Sequence, residues 1–161
     1  MNQRIPEPIR PALQGYIALV NRRIPGLMKA FYLEGSIALG GFNDHFSDID
    51  FLALLNRQLT PTEFATLSNI HQIIGRSYPR WKMSGSYLQS EDLGRYNKVE
   101  ANSCYEGRLR LQGHFDWNWV PGWILKNHGI AIIGPEPQAL PVTIDWDRLI
   151  QRMRENVNGH R

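Results

Sequence analysis

The segment from Phe51 to Leu55 is the feature that most restricts the fold of this chain. Its five residues, FLALL, are all apolar and do not alternate with polar residues. A strand covered on both faces has this continuous pattern, whereas a strand with one face in water alternates. The segment therefore predicts a strand inside a sheet that is flanked by helices.

Apolar periodicity along the rest of the chain predicts the elements that surround this strand. The predicted helices cover residues 9–20, 60–74, 123–127 and the segment from 145 onward. The predicted strands cover residues 27–33, 48–55, 83–88 and 131–133. The helix at residue 60 has the strongest signal, since Thr60-Pro61-Thr62-Glu63 is a capping box with proline at the first helical position. Residues 94–116 predict an irregular loop or a hairpin. This order of elements predicts an α/β fold with a small mixed β-sheet flanked by helices.

Composition excludes several classes of protein. The chain has 161 residues, of which 42% are apolar and 20% charged, as in an ordinary globular domain. The net charge of +3 and the lack of a basic stripe interleaved with aromatic residues argue against a nucleic-acid binder. No apolar run is long enough to span a membrane. The single cysteine, Cys104, excludes an internal disulfide and predicts a reducing, cytoplasmic location.

Two aspartates lie at the start of the predicted buried strand. Because strand side chains alternate between faces, Asp48 and Asp50 are expected to point the same way and to repel each other. A divalent cation relieves that repulsion, and hard oxygen ligands suit magnesium. The alternative is a solvated loop in which the aspartates cap turns. Asp48 and Asp50 are therefore candidate metal ligands and catalytic residues.

A glycine and a serine close the preceding strand. Gly35 allows backbone N–H groups to approach an anion, and the Ser36 hydroxyl can donate to a phosphate oxygen. Ser47, beside the first aspartate, can orient a carboxylate or contact a phosphate. A helix that begins within residues 37–41 would add positive potential. Gly35, Ser36 and Ser47 are therefore candidate nucleotide-binding residues.

The string YLEGSIALGGFNDHFSDIDFLALL, with Gly35-Ser36 followed by Asp48-Ile49-Asp50, resembles the nucleotidyltransferases of the DNA polymerase β superfamily. The segments LTPTEFATLSNIHQ and WILKNHGIAIIGPEP resemble its bacterial aminoglycoside adenylyltransferase branch. The resemblance implies magnesium-dependent transfer of AMP from ATP to a hydroxyl of a small acceptor. It also implies that the two aspartates hold magnesium on the triphosphate.

One departure from the family concerns a third carboxylate, which acts there as a general base or a metal ligand on a following strand. The matching position in this sequence is Ser84, which cannot accept a proton near neutral pH. Glu91 and Asp92 could replace it, or they could be polar loop residues.

The second departure from the family pattern concerns the C-terminal part of the sequence. Residues 1–141 are predicted to form the nucleotidyltransferase domain, and residues 142–161 a C-terminal helix. Its apolar residues are Trp146, Leu149, Ile150, Met153 and Val157. This stripe could fold back on the core, begin a truncated helical region, or join two copies in a homodimer. Both departures favour an alternative function, a catalytically weak member that binds a nucleotide or a protein partner, as antitoxin-like relatives do.

Overall fold

The structure, a computed structural model, describes residues 1–94, 99–115, 119–142 and 145–159. The α-helices in these ranges are α1 (Arg10–Arg23), α2 (Gly35–Ala38), α3 (Pro61–Ser77), α4 (Trp119–His128) and α5 (Trp146–Asn158). The strands are β1 (Met28–Leu33), β2 (Ile49–Leu55), β3 (Met83–Gln89), β4 (Val99–Tyr105), β5 (Arg108–Phe115) and β6 (Ile130–Ile133). Short 3₁₀ turns cover Glu7–Ile9, Ser90–Gly94 and Pro137–Ala139.

All the strands described form one mixed sheet in the order β5-β4-β3-β2-β1-β6. β2 and β3 are parallel and in register, and the other neighbours are antiparallel. A parallel pair requires a crossover connection, and α3 provides it. The predicted fold class, a small mixed sheet with helices around it, is confirmed.

Both faces of β2 are buried, as its continuous apolar pattern predicts. Phe51 and Ala53 lie in a core cluster with α1 and α3 on one face of the sheet. Leu52 and Leu54 lie in a second cluster with Leu125 of α4 on the other face. Because burial of a large apolar side chain contributes about 1.5–3 kcal/mol, this strand is anchored from both sides. The pairing of β2 with β1 and β3 therefore also fixes the position of Asp50 at the start of the strand.

The capping box at the start of α3 is present. Thr60 Oγ1 accepts a hydrogen bond from Glu63 N at 3.2 Å, and Glu63 Oε2 accepts one from Thr60 N at 3.0 Å. Pro61 is the first helical residue, where its missing N–H would have no intrahelical partner anyway. The helix therefore starts where local chemistry predicts, and it ends three residues later than the apolar stripe does.

The region predicted as an irregular loop or hairpin is largely regular. β4 and β5 form a hairpin joined by Glu106 and Gly107, both with positive φ (47° and 77°). Positive φ at both central residues is typical of the tight turns that match the twist of paired strands. The hairpin alternative is therefore correct, and the polar sequence left it undecided because β5 lies at the edge of the sheet, with Arg108 and Arg110 exposed. The part of the prediction that concerns residues 95–98 and 116 lies outside the described residues.

A polar network crosses the core between α1, α3 and β3. The Tyr87 hydroxyl lies 2.5 Å from the Tyr16 hydroxyl and 2.5 Å from His71 Nε2. Cys104 Sγ lies 3.6 Å from the other ring nitrogen of His71. Burial raises the pKa of both tyrosines and of Cys104, the last to about 12, and lowers the pKa of His71 to about 4. The network is therefore neutral at pH 7.

The last helix folds back only in part. Leu149 is buried, whereas Trp146, Ile150, Met153 and Val157 remain exposed. The Trp146 ring lies against Trp123 of α4, with centroids 6.4 Å apart. In the part of the chain that the structure describes, no helix combines the length and the apolarity that a membrane crossing requires. The domain boundary at residue 141 and the cytoplasmic location stay predictions.

Candidate active site

Three neighbouring strands bring candidate site residues together at one end of the strands. β1 is antiparallel to β2, so the end of β1 lies beside the start of β2. The pairing continues one step further, since Glu34 N donates to Asp50 O at 2.9 Å. β3 is parallel to β2 in a register that places Ser84 next to Asp50. Residues 34, 50 and 84 are therefore neighbours across three strands.

Gly35 is required by the way the chain leaves β1. Its φ is +57°, a conformation that favours glycine. A Cβ atom at this position would overlap Asp50 Oδ2 and would lie 2.9 Å from Asp50 Cγ. The absence of a side chain thus lets the Asp50 carboxylate pack directly against the backbone of Gly35, which itself lines the cleft described below.

The short helix after this turn differs from the prediction. α2 begins at Gly35 and ends at Ala38, so no helix begins within residues 37–41. A helix of four residues has almost no macrodipole, and an anion here would depend on individual N–H groups. Arg4, a residue that the sequence did not single out, fixes this segment by donating to Ala38 O at 2.8 Å and to His128 O at 2.7 Å.

The two predicted serines are joined across the loop between α2 and β2. Ser36 Oγ donates to Ser47 Oγ at 3.1 Å, and Ser47 Oγ accepts from Asn43 N at 2.8 Å. The loop is therefore closed on itself, with Ser36 and Ser47 at its base. Both hydroxyls lie next in sequence to a candidate site residue, Gly35 or Asp48.

The aspartates differ in their surroundings. Asp48 precedes the first residue of β2 and is half-buried. The Asp50 carboxyl has a pKa raised to about 6, first because of burial and second because of the nearby negative charge of Asp48. The two carboxylates are close enough to repel, which is the situation that the Asp-x-Asp spacing predicts.

A cleft of about 600 Å³ opens over this edge of the sheet. Glu34, Gly35, Asp50 and Ser84 line its floor, and Arg110 of β5 is the basic side chain among its described lining residues. Of the predicted site residues, the structure brings Gly35 and Asp50 into the cleft. Asp48, Ser36 and Ser47 lie beside it in the chain without lining it.

The third carboxylate is absent from the position that the family pattern indicates. Ser84 lines the cleft beside Asp50, and its Oγ accepts a hydrogen bond from Glu106 N at 3.0 Å. Asp92 does not replace it, because its Oδ2 accepts from Gln89 N at 3.0 Å and so caps the end of β3. Neither Asp92 nor Glu91 is among the described residues that line the cleft.

Sequence reasoning missed Glu34. Its side chain is partly exposed as a whole, but Oε1 is buried and has no hydrogen-bond partner among the described residues. Burial, and then the charge of Asp50, raise the pKa of the Glu34 carboxyl to about 8. The signal that could have revealed it is an acidic residue directly after the apolar segment of residues 30–33 and directly before the Gly-Ser turn.

Comparison with solved structures identifies the fold. The chain is similar to the spectinomycin adenyltransferase AAD(9) from Enterococcus faecialis, crystallised with ATP and spectinomycin, with a TM-score of 0.70 and 14% identity. The likeness covers 92% of this chain and 66% of that one, so this chain spans about two thirds of the length of the adenyltransferase. The chain has the nucleotidyltransferase fold, as its sequence predicts.

More distant likenesses are to toxin–antitoxin structures. One was crystallised with AMP-PNP, with a TM-score of 0.42 and 15% identity over 92% of this chain and 90% of that one. Another is a mutant of MntA–HpeT, with a TM-score of 0.41 and 15% identity over the same shares. No protein-family model matches the chain, and no curated protein matches it.

Proposed function

We propose that this protein is a magnesium-dependent nucleotidyltransferase that moves AMP from ATP to a hydroxyl of a small acceptor. The observation that carries the proposal is the meeting of Gly35 and Asp50 at the floor of one cleft. An accessible backbone turn suits a phosphate group, and a carboxylate beside it suits the cation that accompanies the phosphate. The adenyltransferase with the same fold was crystallised with ATP, which supports this assignment.

The donor set suits a magnesium ion. Asp48 and Asp50 offer hard oxygen ligands, and the missing side chain of Gly35 lets the Asp50 carboxylate lie against the turn. Among the described residues, no three His, Cys, Asp or Glu side chains converge into a complete metal site. Magnesium does not need one, because it usually takes much of its shell from water and substrate phosphates. Bound by Asp48 and Asp50, it would supply Lewis-acid stabilisation of the charge on the reacting phosphate.

The remaining residues hold the triphosphate. The first N–H groups of α2 have no intrahelical partners, so the turn at Gly35 and Ser36 can donate to phosphate oxygens. At the base of the same loop the Ser36 hydroxyl donates to the Ser47 hydroxyl, 3.1 Å away, which leaves the Ser47 O–H to donate to a phosphate oxygen. Arg110, exposed on β5 at the cleft, carries the positive charge that a triphosphate would contact.

The reaction balances without a further reactant. The oxygen of the acceptor hydroxyl attacks the α-phosphorus of ATP and forms the new P–O bond. The bond between the α-phosphorus and the bridging oxygen breaks, and pyrophosphate leaves with the electron pair. The hydroxyl proton passes to a base or to solvent. The protein's contribution is mainly positioning and charge stabilisation. The acceptor is a small hydroxyl compound, aminoglycoside-like or of another class.

Asp50→Asn tests the cation-dependent part of this function. We expect the wild type to bind ATP more tightly with Mg²⁺ than without it, and the variant to lose most of that difference, since one carboxylate leaves the cation under-neutralised. Isothermal titration calorimetry with and without Mg²⁺ measures it. Asp44→Asn is the matched control, because Asp44 is exposed in the same loop and does not line the cleft. Equal ATP affinities of the wild type and Asp50→Asn, each with and without Mg²⁺, would overturn the role of Asp50 in binding the metal.

A second function is favoured by one observation. Ser84 occupies the position of the third carboxylate, and its hydroxyl already accepts the hydrogen bond of Glu106 N. A protein without a base would bind the nucleotide and transfer it slowly, as a nucleotide-binding or partner-binding member of the fold. Release of pyrophosphate with a panel of hydroxyl acceptors separates the two, because only an active transferase produces it in proportion to the acceptor.

A further inference from the structure

Three residues lie side by side at the floor of the cleft, two on the adjacent strands β2 and β3 and one directly after β1. Ser84 flanks Asp50 on the β3 side, in register with it. Glu34 flanks Asp50 on the β1 side, and its backbone N–H donates to Asp50 O. All three line the cleft. The carboxylate that is missing on one side of Asp50 is therefore present on the other.

The Glu34 carboxylate is not explained by the packing of the protein. Oε1 is shielded from solvent and has no hydrogen-bond partner in the described part of the chain. A buried carboxylate without a partner destabilises a fold, whereas an apolar residue here would extend the buried strand without that cost. No ion pair of the described residues involves Glu34. Glu34 also lines the cleft and is partly exposed as a whole, so a bound ligand can contact its carboxyl group.

We propose that Glu34, and not residue 84, supplies the third carboxylate of this site, and that it acts in the outer shell of the cation that Asp48 and Asp50 bind. The inference rests on the proposed function, because it assigns a residue to the same cation and triphosphate. Its partner is the water that magnesium retains when protein carboxylates and phosphates fill only part of its shell.

An outer-shell position agrees with the geometry. No three acidic, His or Cys side chains of the described residues converge on one point, so Glu34 does not complete a closed cage of direct ligands. Glu34 and Asp50 both line the cleft, and the Asp50 carboxylate lies against the backbone of Gly35, the residue after Glu34. Outer-shell carboxylates orient the ligands of a metal and add to its affinity, typically by 10- to 100-fold. Glu34 is thus a positioning residue.

Glu34→Gln tests the inference by cation binding rather than by turnover. We measure the affinity for Mn²⁺ by calorimetry in the presence of AMP-PNP and without an acceptor, so that no AMP is transferred. The variant keeps the shape of the side chain and removes its charge, and we expect an affinity about 10- to 100-fold lower than that of the wild type. Glu34→Asp, which keeps the charge, is expected to retain most of the affinity. Glu7→Gln removes an exposed glutamate away from the cleft and should match the wild type.

A double variant checks that the charge, rather than the identity of residue 34, is what the cation requires. Glu34→Gln combined with Ser84→Glu moves the carboxylate to the other flank of Asp50, and we expect it to recover affinity. Thermal melting without cation shows whether each variant is folded. If Glu34→Gln does not fold, the test is the comparison of Glu34→Asp and Ser84→Glu with the wild type.

The outcomes separate the two proposals. Wild-type binding of Mn²⁺ with AMP-PNP, together with equal binding by a folded Glu34→Gln variant, overturns the role of Glu34 and leaves the proposed function intact. Failure of the wild type to bind the cation with AMP-PNP overturns the proposed function itself. Equal loss in Glu34→Asp and Glu34→Gln also contradicts the role of charge.

Discussion

His71 is expected to lower the free energy of unfolding of this protein at acidic pH. Its ring is buried in the core, with Nε2 2.5 Å from the Tyr87 hydroxyl, and burial lowers its pKa from 6.5 to about 4. The unfolded chain would bind a proton on this residue below pH 6.5, while the folded chain resists it down to about pH 4. The stabilisation is therefore fully present above pH 6.5 and is lost as the pH falls toward 4.

The magnitude follows from the difference in pKa. One pKa unit is worth about 1.4 kcal/mol, so His71 accounts for a loss of about 3 kcal/mol in the free energy of unfolding between pH 6.5 and pH 4. Two other groups work against it, because the raised pKa values of Glu34 and Asp50 favour the folded state at lower pH. A difference between two proteins that share those groups isolates the contribution of His71.

His71→Phe is the matching perturbation. It keeps a ring among Tyr16, Phe51 and Tyr87, and the Tyr87 hydroxyl keeps Tyr16 as its partner. Loss of the hydrogen bond to Tyr87 and of the weaker contact with Cys104 costs about 1 kcal/mol or more at neutral pH, so the variant should be the less stable protein there. Below about pH 5 the order should reverse, because only the wild type must protonate a buried imidazole.

Urea denaturation from about pH 7 to about pH 4 measures both proteins. We expect the wild type to lose about 3 kcal/mol more than the variant over this range. His45→Gln is the control, since His45 is exposed in a loop and its replacement should leave the wild-type profile unchanged. Parallel profiles for the wild type and His71→Phe would refute the reasoning, because they would show that the buried ring does not resist protonation.

Two further predictions concern the missing carboxylate and the last helix. Because Ser84 lies beside Asp50, Ser84→Glu should raise the rate of pyrophosphate release with a suitable acceptor. General-base catalysis contributes about 100- to 10,000-fold to such a rate. Fast release by the wild type would contradict this prediction, because it would show that a base is already present. The exposed residues Ile150, Met153 and Val157 of α5 predict self-association, which Met153→Glu should abolish in sedimentation velocity, whereas Gln151→Lys, on the opposite face of the helix, should not. A wild type that stays monomeric at every concentration would contradict the second prediction.

Local chemistry is what the sequence determined by itself. The capping box at Thr60 fixes the start of α3 because its two hydrogen bonds join residues three apart. The apolar run of β2 indicates burial on both faces because no other environment tolerates it. Gly35 before Ser36 indicates a turn because glycine alone enters that conformation freely. Each of these signals lies within a few residues of its effect, so no tertiary contact is needed to interpret it.

The neighbours of Asp50 were decided only by the tertiary structure. Glu34 is 16 positions away in the chain and Ser84 is 34, and only the antiparallel and parallel registers of β2 make both adjacent to it. Arg110 reaches the same cleft from an edge strand whose polar sequence resembles a loop. Register depends on the packing of whole strand faces, and a shift of one residue would turn every side chain to the other face. The sequence therefore predicted candidate residues for phosphate and metal chemistry, and the sheet determined which of them share a cleft.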